Sequence, residues 1–256
     1  MIKKKFISIG KDVISLEIKA LQNLKKNINS SFDKAVIQIA KCQSKIILCG
    51  VGKSGLIASK IASTMSSVGS PAFSLSANDC LHGDLGSISK RDLLILISNS
   101  GKSKELLPII KFANRNKIKL IGIVSKKNSS LYKGADIQIL LPEVKEAGLG
   151  IVPTSSTSIQ LAIGDALAIA ALNKKRFSKY DFSKLHPGGN LGKQLKTVED
   201  LMVTKNKIPF INENKNLISA IKIITSKKLG VLIAKDKNGH TKGILTDGNI
   251  RNLTSI

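Results

Sequence analysis

The chain has 256 residues, 42% of them hydrophobic, with a formal net charge of +24 at pH 7, enough for one large core or for a domain of about 200 residues with a small companion. Arginine occurs only at positions 91, 115, 176 and 251 and aromatics make up 4%, so the bidentate and stacking groups of specific nucleic-acid recognition are scarce and the lysine excess reads as solvated surface. No apolar run approaches the roughly 20 residues of a membrane span, no secretory leader pattern opens the chain, and Cys42, Cys49 and Cys80 show no CxxC spacing. A cytoplasmic protein with reduced thiols, no nucleic-acid partner and no membrane partner is therefore expected.

Residues 11–42 are predicted helical, since Val13, Ile14, Leu16, Ile18, Leu21 and Leu24, then Val36, Ile37 and Ile39, recur at three- and four-residue spacing. Ser30-Ser31 ahead of Phe32-Asp33 is the expected break and re-cap. Five short apolar runs follow at 45–49, 72–75, 93–97, 120–124 and 137–141, alternating with helical patterns at 54–67, 103–115, 129–133 and 155–172. Unbroken apolar strands separated by helices imply a parallel sheet covered on both faces. The expected fold is α/β, a three-layer α/β/α domain over 1–196 with a five-stranded parallel sheet. Near residue 196 the character changes, and 197–256 reads as a small α+β unit, with a helix at 217–226 and short strands around 208–211, 230–234 and 243–245.

In such sheets ligands bind beyond the carboxyl ends of the strands. Gly50-Val51-Gly52-Lys53-Ser54-Gly55 satisfies GxGxxG between the first strand and a helix, but the next strand runs into Ser76 where a ribose-binding acid should stand. A Walker A loop would need Gly at Ile47. What survives is a tight turn presenting Lys53 and Ser54 to a phosphosugar. After the third strand, Ser98-Asn99-Ser100-Gly101-Lys102-Ser103-Lys104-Glu105 carries hydroxyls, an amide and helix-opening N–H groups, the makings of a phosphate cradle. Glu105 could equally be a carboxylate placed to suit the helix dipole.

Glu146, in the glycine-bearing loop 145–158, is an acid-base candidate, and Thr154 or Ser155 caps the helix that follows. His186 precedes Pro187-Gly188-Gly189, a turn expected to expose its imidazole, and His240 reads as solvated. His82, in Leu81-His82-Gly83-Asp84-Leu85-Gly86, is a structural residue, a substrate contact or a metal ligand, with no HxH or HExxH spacing in favour of the last.

Taken in order, 52–55, 82–86, 98–101, 145–147, 153–157, Gly164-Asp165-Ala166-Leu167-Ala168 and 186–189 resemble the sugar isomerase (SIS) domain, and more closely the D-arabinose 5-phosphate isomerase family of Gram-negative bacteria. The tail, with Asp200-Leu201-Met202 and 245–251, resembles a single CBS repeat where relatives usually carry two. The resemblance implies Lys53, Glu105, Glu146 and His186 as active-site residues and Ser54, Ser98, Asn99, Ser100 and Ser103 as phosphate contacts, with His82, Thr154 and Ser155 beside the substrate. It implies interconversion of D-ribulose 5-phosphate and D-arabinose 5-phosphate toward the Kdo sugar of lipopolysaccharide, with no cofactor and no metal, in a homotetramer. Lys102 stands where many relatives have Glu. Isomerisation of another phosphosugar, or a non-catalytic sugar-phosphate sensor, are the alternatives.

Overall fold

The computed structural model describes residues 5–186 and 196–253, in two compact units that meet in sequence at residue 195. In the larger unit, α1 (Phe6–Asn27) and α2 (Ser30–Lys41) form the predicted helical pair. Their break lies ahead of the expected serines. Asn29 is the cap, its side-chain oxygen accepting from the Ser31 N–H at 2.9 Å, because Asn holds the extended cap conformation while its side chain satisfies an orphan donor.

The strands β1 (Ile46–Gly50), β2 (Ala72–Ser76), β3 (Leu93–Ser98), β4 (Lys119–Val124) and β5 (Ile137–Leu140) build one parallel sheet in the order β2-β1-β3-β4-β5. β1 and β3 are buried along their whole length, as central strands covered on both faces must be. Alternation then splits their side chains between two cores. Ile46, Leu48, Leu93, Ile95 and Ile97 join α1, α2, α3 (Lys53–Ser67) and α6 (Ser155–Lys175) on one face. Ile47, Cys49, Leu94 and Leu96 join α4 (Leu106–Asn116) and α5 (Ser130–Gly134) on the other. Each such side chain contributes about 1.5–3 kcal/mol by leaving water. The expected three-layer α/β/α arrangement with five parallel strands is what forms.

α6 has 21 residues and a mean hydropathy of 1.3 over its most apolar window, long and apolar enough to cross a membrane by length and composition. In the fold it is a core helix, with Ile159, Ile163, Leu167 and Ala171 buried against α1, α2 and α3. After it, α7 (Lys179–Leu185) starts with a capping box between Ser178 and Asp181. The sheet order places β2 and β3 on opposite sides of β1, so the loops leaving β1 and β3 diverge and open a crevice at their carboxyl ends.

The smaller unit contains α8 (Val198–Leu201), β6 (Phe210–Asn212), α9 (Leu217–Lys227), β7 (Val231–Lys235), β8 (Thr241–Thr246) and α10 (Asp247–Leu253). Its sheet runs β6-β7-β8, parallel then antiparallel, over a small core of Ala220, Ile224 and Leu232.

Candidate active site

The turn from β1 to α3 depends on glycine because backbone meets backbone there. A Cβ on Gly50 would lie 2.7 Å from the Ser54 carbonyl group, and one on Gly55 would lie 2.9 Å from the Gly50 oxygen. Gly52 turns the chain at φ 57°, and the N–H of Gly55 donates to its carbonyl at 3.0 Å. Lys53 is thereby the first residue of α3 and is exposed. Half-buried Ser54 donates its hydroxyl to Gln160 Oε1 on α6 at 3.1 Å.

The serine loop leaves β3 beside that turn, since Gly50 pairs in register with Ile97. Its residues divide into frame and face. Buried Ser98 accepts from the Gly101 N–H at 3.0 Å and lies 3.2 Å from the Ser103 hydroxyl, while Asn99 Oδ1 accepts from Ser125 Oγ at 2.6 Å and its carbonyl from the Ser125 N–H at 3.1 Å. Gly101 fits at φ 63°, where a Cβ would come within 2.3 Å of Ser129 Oγ. Ser98 and Asn99 therefore hold the loop's shape, and exposed Ser100 with half-buried Ser103 face outward. Half-buried Glu105 caps α4 by position, which puts its charge at the favourable end of that helix dipole.

Glu146 proves to be tied to the start of α6, eight residues on. Its Oε2 accepts from the Thr154 N–H at 2.8 Å, the Thr154 hydroxyl at 3.2 Å and the Ser156 N–H at 3.3 Å. Thr154 Oγ1 also accepts from the Ala147 N–H at 3.0 Å, closing the loop on itself. Burial pushes the Glu146 carboxyl up, but the hydrogen bonds from Ser156 and Thr154 outweigh it and hold the group below the ordinary carboxylate range. Ser155, expected at the substrate, is fully buried and its Oγ finds no partner among the described residues.

His82 ends a short 3-10 turn, Asp79–His82, beyond β2 and is exposed. Lys53, Ser54, His82, the serine loop, Glu105, Glu146 and Thr154 thus gather at the carboxyl ends of the strands. His186 does not join them. Phe177, at the foot of α6, packs on Gly69, where a Cβ would lie 2.2 Å from its ring, and Lys175 Nζ donates to the Gly69 carbonyl at 3.0 Å. Gly69 precedes β2, so α7 and His186 start from the opposite edge of the sheet. His186 is stacked on Phe182, ring centroids 3.9 Å apart and 11° from parallel, with Nδ1 2.8 Å from the Phe182 carbonyl. A carbonyl only accepts, so Nδ1 carries a proton, and in the neutral ring Nε2 is left as the acceptor. The turn 187–189 lies outside the described residues.

A cleft of about 590 Å³ opens on the β4–β5 flank of the serine loop, lined by Lys102, Ser125, Lys126, Asn128 and Glu143. Of the predicted site residues it includes Ser100 alone, so the acid-base groups sit beside it and not within it. Among the described residues no three His, Cys, Asp or Glu gather as metal ligands. The cysteines are unpaired, and burial pushes the Cys49 thiol up to about 12, helped by nearby Cys80. What the sequence reading missed is Gln160, a fully buried residue of α6 that accepts the Ser54 hydroxyl of α3. Its only signal was a Gln amid the apolar face of a core helix.

A family model for the SIS domain matches residues 38–170 and one for the CBS domain matches 198–255. Arabinose 5-phosphate isomerase KdsD of Yersinia pestis is 41% identical over 250 residues, 97% of this chain and 76% of that protein. KdsD of Escherichia coli K12 is 39% identical over the same shares. Among solved structures, an Escherichia coli CFT073 protein in complex with arabinose 5-phosphate superposes with a TM-score of 0.69 at 36% identity, covering 73% of this chain and all of that one.

Proposed function

The chain belongs to the SIS-domain arabinose 5-phosphate isomerase family, and on that premise we propose that it interconverts D-ribulose 5-phosphate and D-arabinose 5-phosphate through an enediol, with Glu146 as the base. The observation that carries the reading is the convergence of an ionised, oriented carboxylate, a lysine held in a glycine turn and a hydroxyl-bearing loop at one end of the sheet. Outward-facing Ser100 and Ser103 grip the phosphate, and the sugar carbons reach toward Lys53 and Glu146. Glu146 removes the proton from C1 of the ketose, and negative charge develops on O2. Lys53 stabilises that oxygen, which lowers the barrier by charge complementarity in the transition state. Reprotonation at C2 yields the aldose. Glu105, directly after the cradle, is the rival base.

His186, with Nε2 as its acceptor, moves the proton between O1 and O2. Five residues of strand at about 3.3 Å each put roughly 17 Å between the two edges of the sheet, so this His186 serves the site of a neighbouring copy in a homo-oligomer, a tetramer by likeness to the family. Such an enzyme works in the cytoplasm and feeds the Kdo sugar of lipopolysaccharide. Incubating the purified protein with ribulose 5-phosphate and identifying the aldose tests the reading: arabinose 5-phosphate is expected, and its absence overturns it.

A further inference from the structure

Gln160 is completely buried, yet only one end of its amide is satisfied: Oε1 takes the Ser54 hydroxyl at 3.1 Å and Nε2 has no partner among the described residues. Exchanging the amide's oxygen and nitrogen still leaves one bond to Ser54 and one orphaned end. A buried polar group left unpaired lowers stability, and a leucine of similar size would carry no such cost. The side chain's role therefore lies in what it holds.

It joins the helix that carries Lys53 to the helix whose start clamps Glu146. α3 begins with Lys53 and α6 begins at the Glu146 clamp. The helices run in the same direction: Ser54 meets Gln160 near their starts, and Ile61 with Gly164 and Lys60 with Asp165 meet together one to two turns further on. At the middle crossing a Cβ on Gly164 would lie 2.2 Å from Ile61 Cδ1, so the axes are pressed close. At the outer rim Lys60 and Asp165 meet at 2.6 Å, with both side chains well exposed. Van der Waals contact at Gly164 sets the helices' separation but leaves them free to slide, and an exposed ion pair fixes little. The Ser54–Gln160 bond is the directional contact nearest the site.

We infer that Gln160 is a positioning residue for the isomerisation: it locks the first turn of α3 to α6 and so fixes Lys53 relative to Glu146. Proton abstraction depends steeply on that separation, because a carboxylate and an oxyanion-stabilising ammonium act together only when both reach the same enediolate. Substrate affinity is set mainly by the serine loop, which Gln160 does not touch. The inference rests on the assignment of Lys53 and Glu146 above.

The test is steady-state kinetics of Gln160→Leu and Gln160→Met in the full-length protein, with thermal melting of each. We expect kcat to fall tenfold or more, KM for arabinose 5-phosphate to stay within threefold, and the melting temperature to equal or exceed wild type. A residue that merely packs would change melting and leave kcat alone. Wild-type kcat in either folded variant overturns the proposal, and failure of both to fold shows the residue to be structural, which also overturns it. An inactive wild-type protein would instead sink the functional reading on which the proposal stands.

Discussion

The two edges of the parallel sheet each clamp one carboxylate, and the same device serves different ends. At the strand entries, Asp92 accepts from Ser44 Oγ at 2.6 Å, Ser89 N–H at 2.7 Å and Lys45 N–H at 3.2 Å, with its side chain wholly buried. At the strand exits, Glu146 takes three similar bonds but stays half-exposed. Both are pushed up by burial and pulled down further by hydrogen bonds, so both are ionised at neutral pH. Asp92 knits the segments leading into β1 and β3 and has no access to a ligand. Glu146 has the same charge and similar support but lies on an open surface at the carboxyl ends of the strands. A depressed carboxyl therefore marks a well-supported group, and exposure decides whether it is only a fastener or is open to the reagent's role proposed for Glu146.

Substitutions can break that contrast. Glu146→Gln should lower kcat by about 10²–10⁴-fold, the range for losing a general base, while leaving melting close to wild type; near-normal turnover would move the base to Glu105. Mixing inactive Glu146→Gln and His186→Ala chains under exchange should restore roughly a quarter of the sites, the statistical fraction if each site draws these residues from two copies. No recovery on mixing would mean that both act within one chain.

Asp92→Asn should leave kcat within about twofold yet cost about 1–3 kcal/mol in urea unfolding, since an amide N–H₂ would face the Ser89 donor. The folded pKa of Asp92 lies below its ordinary value, so its stabilisation is present above the unfolded pKa and fades as pH falls through the folded one. The gap between wild type and Asp92→Asn should accordingly close below about pH 4; a constant gap would show that the charge is immaterial. The smallest effect is expected from Thr154→Val. It removes a hydroxyl donor from the Glu146 carboxylate, so the acid limb of kcat/KM should move up, by less than about one pH unit. An unmoved limb would mean that another group titrates there.

Much of the larger unit was legible because its strands are continuous apolar runs and its turns require glycine. The exits of β1 and β3 marked the candidate site for the same reason. What the sequence concealed are contacts made across the fold. Ser98 and Glu146 read as free polar groups, yet one frames its own loop and the other anchors a helix eight residues away. Asn29 outcompeted Ser30 and Ser31 as a cap through a local bond that residue preferences rank almost equally. His186 was singled out by type and neighbours, but which edge of the sheet it starts from is decided by Phe177 docking on Gly69, a contact between residues over a hundred positions apart.

The shared direction of α3 and α6 has a kinetic consequence. Two helices that start at the same end of the sheet turn their partial positive charges, roughly half an elementary charge each, toward the same side, where Lys53 adds a full one and the Glu146 carboxylate seated on the α6 terminus offsets one. A doubly charged sugar phosphate diffusing past is drawn toward that spot before any contact forms, so encounter should slow as added salt shortens the reach of the field. Turnover at saturating substrate, which no longer depends on encounter, should be nearly indifferent to the same salt.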